Sequence, residues 1–303
     1  MSVTGPSRAL GRVFDRVADA YDAGRPGYPG ELFDALTELS GVALAGATVV
    51  DVGAGTGISA RALRDHGARV VAVDPGREML ARLMARNHTD RQHTDRQHTA
   101  GHHVDGHHPA GNHTAGNHVD GHHADGVHAD GDGGPVARGV VVAVQGDGNA
   151  LPLRDGGADL VTYAQSWHWL DPAVSIAEAR RVLRPGGRVA AWWNTTDAAS
   201  ADWLAAYEVR LAEACAAYWG PARPEWNMPK IAEALPVEER WLRWTRRVAV
   251  DAFLLDLRSH SYMATMPAEA ADELVALQRA ELLRVFPDGV LTVPMRVYLA
   301  VGG

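Results

Sequence analysis

Apolar positions along this chain fall into short dense blocks, separated by longer stretches in which they recur every three or four residues. Five blocks have strand length and are rich in valine or alanine: Thr48–Val52, Arg69–Val73, Val140–Val144, Asp159–Tyr163 and Arg188–Trp193. Such near-continuous apolar runs read as strands covered on both faces. Helical spacing follows at Ile58–His66 and Pro172–Leu183, where Pro185-Gly186-Gly187 ends the helix and opens the fifth strand. Strands alternating with helices predict a doubly wound, mostly parallel sheet with helices on both faces. Upstream, Ser7 can cap a helix to Ala20, GRPGYPG forces a turn, and Glu31–Leu39 reads as a second helix. Downstream, Asp202–Tyr218 reads as a helix rich in alanine. Trp241–Val250 and Leu291–Leu299 read as two late strands, with helices around Asp251–Tyr262 and Pro267–Phe286.

The first block ends in three glycines at alternate positions, Gly53, Gly55 and Gly57, and the second block ends in Asp74. Glycines there let the backbone turn sharply and let a ligand lie against it. A carboxylate at the tip of the second strand of such a sheet faces ribose hydroxyls. A nucleoside-bearing cofactor is therefore expected at the carboxyl ends of the strands. A dinucleotide fingerprint needs a small residue where this chain has Ile58, and it places a pyrophosphate on the helix N-terminus. Asp51, two residues before the first glycine, would repel that pyrophosphate. It suits a ligand carrying an ammonium and a sulfonium, as S-adenosylmethionine (SAM) does. The competing reading is a glycine turn that only closes a β-α unit.

With TVVDVGAGTG and VVAVD the chain resembles the class I SAM-dependent methyltransferases, and five further segments extend the likeness. Phe14–Pro29 (FDRVADAYDAGRPGYP) resembles the N-terminal helix and turn of one bacterial branch, the type 11-like methyltransferases. Gln145–Leu153 (QGDGNALPL) resembles the segment after the family's third strand, and Ala164–Trp169 (AQSWHW) the end of its fourth. Ala179–Trp193 is similar to its Leu-Arg-Pro-Gly-Gly signature, and Ser259–Tyr262 with Val293–Leu299 look like its C-terminal part. The resemblance implies a Rossmann-like sheet of seven strands, the last pair antiparallel, and SAM as cofactor. It also implies residue roles. Asp51 contacts the methionine end, with a turn cap as the alternative. Gly53, Ala54 and Gly55 form the loop, and Asp74 with Pro75 meets the ribose. Asp147, with Gly148 and Asn149, serves the adenine amino group, unless it only forms an Asx turn. Gln165 borders the methionine moiety, and the turn carrying Tyr21 and Arg25 lies over the cofactor. Arg25 is suited to the SAM carboxylate or to an acidic substrate, with a simple surface arginine as the alternative.

Composition narrows the partners. With 303 residues, 46% of them hydrophobic, a sizeable core is affordable in one domain. The formal net charge of −8, with no basic patch, argues against nucleic acid as substrate. Cys215 is the one cysteine, so no intramolecular disulfide or cysteine-based zinc site can form. No signal pattern opens the chain and no apolar run reaches transmembrane length, so a cytoplasmic protein without membrane attachment, monomer or homodimer, is expected.

One segment breaks the pattern. From Asn87 to Pro135 the chain is a low-complexity repeat holding 12 of its 15 histidines, spaced mostly every five residues. That period fits neither helix nor strand, and little there is apolar, so disorder is expected. Leaving from the amino-terminal edge of the sheet, it lies opposite the cofactor. Such a tract can hold transition metals loosely, but it is read as a tolerated expanded repeat in a surface loop, and no metal ligand set is assigned. A metal-binding protein on this fold and a nucleotide-dependent oxidoreductase are the alternatives to a methyltransferase.

His168, between Trp167 and Trp169 just past the fourth strand, is the candidate catalytic residue. It is suited either to act as a general base or to pack and orient. His260 and Tyr163 are weaker candidates. Residues 195–240 are read as a lid segment, and the Trp-rich late part of the chain (Trp203, Trp219, Trp226, Trp241, Trp244) either contributes to such a lid or is ordinary core. The expected reaction is in-line transfer of a methyl group to an oxygen or nitrogen of a small organic molecule.

Overall fold

The computed structural model describes residues 25–100 and 139–303, apart from 219, 221 and 223–230; of 89–100 only the backbone is described. Elements run α1 (Gly30–Ser40), β1 (Thr48–Val52), α2 (Ile58–Asp65), β2 (Arg69–Asp74), α3 (Arg77–Ala100), β3 (Val140–Gln145) and β4 (Ala158–Ala164). They continue α4 (Pro172–Val182), β5 (Leu183–Thr196), α5 (Asp202–Ala214), β6 (Val237–Ala249), α6 (Val250–Arg258), α7 (Ala268–Val285) and β7 (Val290–Gly302). The helix predicted from Ser7, and with it Tyr21, lies outside the described residues.

The strands form one sheet in the order β3-β2-β1-β4-β5-β7-β6. β1 to β5 are parallel, and β7 runs antiparallel to both its neighbours. The fold is the α/β sheet expected, with helices on both faces. Alternation along each strand supplies both layers. Val49 packs with Leu32, Phe33 and Leu36 of α1 and Leu63 of α2. Val50 and Val52 pack on the other face with Ile176, Ala179 and Val182 of α4. Asp171 starts α4 by accepting the N–H groups of Ala173 and Val174, each at 3.1 Å, and Pro172 stands at a position where no N–H is needed.

Three expectations are corrected. β5 begins at Leu183, not at Arg188: Leu183 pairs with Ala158, residues 184–187 bulge, and pairing resumes with Arg188 opposite Leu160. Gly186, at φ +81°, makes that bulge possible. Second, the disorder expected from Asn87 does not hold at its start, because α3 continues to Ala100. Extending an existing helix through Arg and Gln needs no new nucleation. Asn87 is buried and accepts from the Arg64 guanidinium. The Arg64 carbonyl in turn accepts the N–H of Gly139 at 2.9 Å. Both ends of the intervening segment are thus fastened at one residue, on the edge where β2 and β3 begin.

Third, the lid expected over 195–240 is neither one segment nor confined there. Val237–Arg240 already belongs to β6. α5 packs instead with α6 and α7 around Phe253, Leu257, Leu274 and Leu282, forming a separate apolar cluster above the β6 and β7 ends. Trp203 packs in that cap against Phe253 and Phe286, while Trp241 and Trp244 lie on β6. Trp219 and Trp226 fall outside the described residues. No described helix is long and apolar enough to cross a membrane.

Candidate active site

The site grows from the end of β1. Gly53 has φ +71°, and a Cβ on it would lie 2.4 Å from Cβ of Ser166, so only glycine fits. Gly53 and Ala54 donate their N–H groups to the carbonyl of Val73 at 2.8 and 3.1 Å, which draws the loop against β2. Gly55 differs: its φ is +55°, yet a Cβ there would meet nothing within 4 Å. The loop therefore presents bare backbone to open space at Gly55.

Asp74 holds the loop. Its Oδ2 accepts the Gly55 N–H at 2.8 Å and its Oδ1 accepts the Gly76 N–H at 2.7 Å. Each carboxylate oxygen has two lone pairs, so the same group can also accept from ribose hydroxyls.

Asp51 is fully buried. Its Oδ1 accepts from Thr162 Oγ1 at 2.7 Å and Ser59 Oγ at 3.4 Å, while its Oδ2 is buried with no hydrogen-bond partner. Burial pushes its pKa up to about 7; the two hydroxyls oppose that shift and the charge on Asp74 adds to it. A buried carboxylate with an unanswered oxygen beneath a glycine loop fits a cationic ligand and opposes a pyrophosphate.

A cleft open to solvent lies over this loop, with Arg25, Tyr28, Gly53, Ala54, Ser59 and Gln165 among its walls. Gln165 has φ +57°, the one positive value among described residues other than glycine. Strain of that kind persists where surrounding structure enforces it, and here the Gln165 N–H donates to the Trp192 carbonyl at 2.9 Å. Arg25 and Tyr28 come from the strap before α1. Tyr28 stands edge-on to Trp192 at 6.0 Å, and Asn194 Nδ2 donates to the Gly27 carbonyl at 3.1 Å while its Oδ1 accepts from Trp244 Nε1 at 3.1 Å.

Arg25 also reaches the cap. Its Nε lies 3.3 Å from Asp256 Oδ1 and donates to Ser259 Oγ at 3.1 Å, and its Nη2 lies 3.3 Å from His260 Nδ1. Because a guanidinium only donates, His260 Nδ1 accepts and the ring proton sits on Nε2, 3.8 Å from Asp256 Oδ1. Burial, then the Arg25 charge, hold His260 well below its usual pKa. Arg246 Nη1 lies 3.5 Å from the other Asp256 oxygen.

His168 is half-buried in the turn Trp167–Trp169, its ring 4.7 Å from that of Trp169 and its Nδ1 buried without a partner. Burial, then Arg25, lower its pKa to about 4, so the imidazole is neutral at ordinary pH. Tyr163 is not at the site. It is buried in the sheet core and donates its hydroxyl to the Ser175 carbonyl at 3.2 Å.

The structure thus brings together Arg25, Gly53, Ala54 and Gln165 in the cleft, with Asp51 beneath it and Asp74 fastening Gly55. Asp147, Gly148 and Asn149 do not line the cleft. Asp147 Oδ1 accepts the Asn149 N–H at 2.9 Å in an Asx turn, Asn149 Oδ1 accepts the Asp171 N–H at 2.9 Å, and Gly148 packs against Val52 and Leu170. Pro75 is exposed and its carbonyl accepts from Gln145 Nε2 at 3.1 Å. Residues that sequence reasoning missed are Tyr28, Thr56 and Ser59 in the cleft, Asn194 behind the strap, and Asp256 in the cap. Asp256 had a signal: an acid three residues after the buried Phe253 and four before His260. Among the described residues no cluster of three His, Cys, Asp or Glu can hold a metal ion.

Comparison with known proteins gives the family and the fold. The sequence profile of a family described as a methyltransferase domain matches residues 23–229. An uncharacterized methyltransferase of Mycobacterium tuberculosis is 30% identical over 285 residues, covering 94% of this chain and 91% of the relative. An uncharacterized methyltransferase of Schizosaccharomyces pombe is 28% identical over 149 residues, 47% of this chain and 56% of its own. Among solved structures, one from Anaeromyxobacter dehalogenans, assigned provisionally as a type II methyltransferase, superposes with a TM-score of 0.56 at 21% identity, over 92% of this chain and 96% of its own. At that identity the superposition speaks for the fold alone.

Proposed function

The chain belongs to the SAM-dependent methyltransferases, and from that premise we propose that it methylates an oxygen or nitrogen atom of a small organic molecule. The observation that carries the cofactor assignment to particular residues is the buried, unpartnered Oδ2 of Asp51, whose other oxygen accepts from Ser59 on the cleft wall. SAM, when bound, supplies an electrophilic methyl group on a positively charged sulfur.

The residues then divide the work. Asp51 answers the positive charge of the methionine end. Asp74 takes the ribose hydroxyls while holding Gly55. Arg25 meets the methionine carboxylate from the strap, and Gln165 and Tyr28 close the sides. The Asx turn at Asp147 stands next to this edge, and its Gly146 N–H donates to the Asp74 carbonyl at 3.1 Å, which keeps it available to the adenine.

His168 is best suited to orienting the acceptor. With a pKa of about 4 it is too weak a base to match a reaction near neutral pH. Its neutral lone pair can accept a hydrogen bond from an acceptor O–H or N–H. Alignment of the methyl group with the acceptor supplies most of the rate. Calorimetric titration with SAM, S-adenosylhomocysteine, NAD and NADP tests the cleft assignment: the first two bind, the last two do not. Binding of NAD without SAM would overturn it.

A further inference from the structure

We propose that Asp256, in the cap, is a positioning residue for the cofactor cleft: it holds Arg25 where the guanidinium meets the carboxylate of the cofactor's methionine. The inference rests on the reading of the cleft as the SAM site. Arg25 is a wall of that cleft, yet the partners described above, Asp256, Ser259 and His260, all come from one turn at the end of α6. The guanidinium is shared between cofactor wall and cap.

Asp256 is itself anchored. Arg246, on β6, lies against its second oxygen, and the Ser259 hydroxyl donates to the Asp256 carbonyl at 2.7 Å. The Arg25 and Asp256 side chains are each only 13% exposed, so water screens the pair weakly. Two residues on, Asn194 fixes the strap at Gly27. The strap is therefore held from the sheet at Gly27 and from the cap at Arg25. A change in the cap at Asp256 reaches the cofactor through that side chain.

The test compares S-adenosylhomocysteine with 5′-methylthioadenosine, which has the same nucleoside and thioether but no amino acid. In Asp256→Asn, S-adenosylhomocysteine should bind about tenfold more weakly, the size of one charged hydrogen bond, with methylthioadenosine unchanged. Arg25→Ala should show the same selectivity, and the double variant should bind S-adenosylhomocysteine no more weakly than Arg25→Ala alone. Ser259→Ala, which removes an acceptor from Arg25 Nε without unburying a charge, should shift the same ratio in the same direction; it serves if Asp256→Asn does not fold. Equal loss of both ligands, or Asp256 and Arg25 effects that add, would overturn the proposal. Wild-type protein that binds neither ligand would instead overturn the cleft assignment itself.

Discussion

Asp74 Oδ2 accepts the Gly55 N–H at 2.8 Å, so the acid expected to hold the ribose also holds the glycine loop. Asp74→Ala removes both functions. SAM affinity should fall roughly ten- to a hundredfold, as expected for loss of a charged hydrogen-bond acceptor. Calorimetry reads this directly. Asp74→Asn, which retains a carbonyl oxygen, should lose less.

The loop glycines should respond differently to one methyl group. Gly53→Ala places a Cβ against Ser166 at positive φ, and should destabilise the fold by about 1–3 kcal/mol. Gly55→Ala meets no protein atom. It should cost less in denaturant unfolding and more in SAM affinity. Equal effects on folding and binding at the two positions would contradict the placement of the open face.

Asp51 sets a pH dependence. Its folded pKa, about 7, is raised above the ordinary carboxylate value, so its contribution to stability is full below about pH 4 and lost as pH rises through 7. In the absence of cofactor, wild type should lose stability relative to Asp51→Asn across that window. SAM affinity should move the opposite way, rising with pH to about 7 as the carboxylate ionises beneath a cationic ligand, and Asp51→Asn should flatten that rise. Parallel pH profiles for wild type and variant would show that Asp51 does not meet the charge.

The histidine-rich segment should be separable from the site. Replacing residues 101–135 with a short glycine-serine link should leave SAM affinity unchanged. Asn87→Ala should instead destabilise the protein by about 1–3 kcal/mol, because a buried Arg64 donor loses its acceptor. A change in SAM affinity on adding Zn²⁺ or Ni²⁺ to the full chain, absent from the shortened one, would show that the segment regulates the site.

Much of this site was legible in the sequence because it is local. Gly53, Gly55 and Asp74 sit at strand ends, and strand periodicity places those ends together on one edge. Gly57 likewise announces a turn at the start of α2. What was missed depends on long-range approach. Asp256 faces Arg25 only because α6 folds back over the sheet, and Asn194 meets Gly27 across β5 and the strap. No period or spacing encodes those meetings. The packing of α5 was not legible for a related reason: its apolar face is completed by α6 and α7, from a later part of the chain. Tyr163 looked like a site residue by position, but strand alternation turns its ring to the face covered by α4.

The substrate proposal is tested most directly by incubating the protein with SAM labelled in its methyl group and an extract of cell metabolites, beside Asp74→Ala as the impaired control. Label should pass to the small-molecule fraction in wild type, in an alkali- or acid-resolved O- or N-methyl linkage, and fall steeply in the variant. Label carried into protein or nucleic acid instead, at equal metabolite and macromolecule supply, would contradict the small organic acceptor.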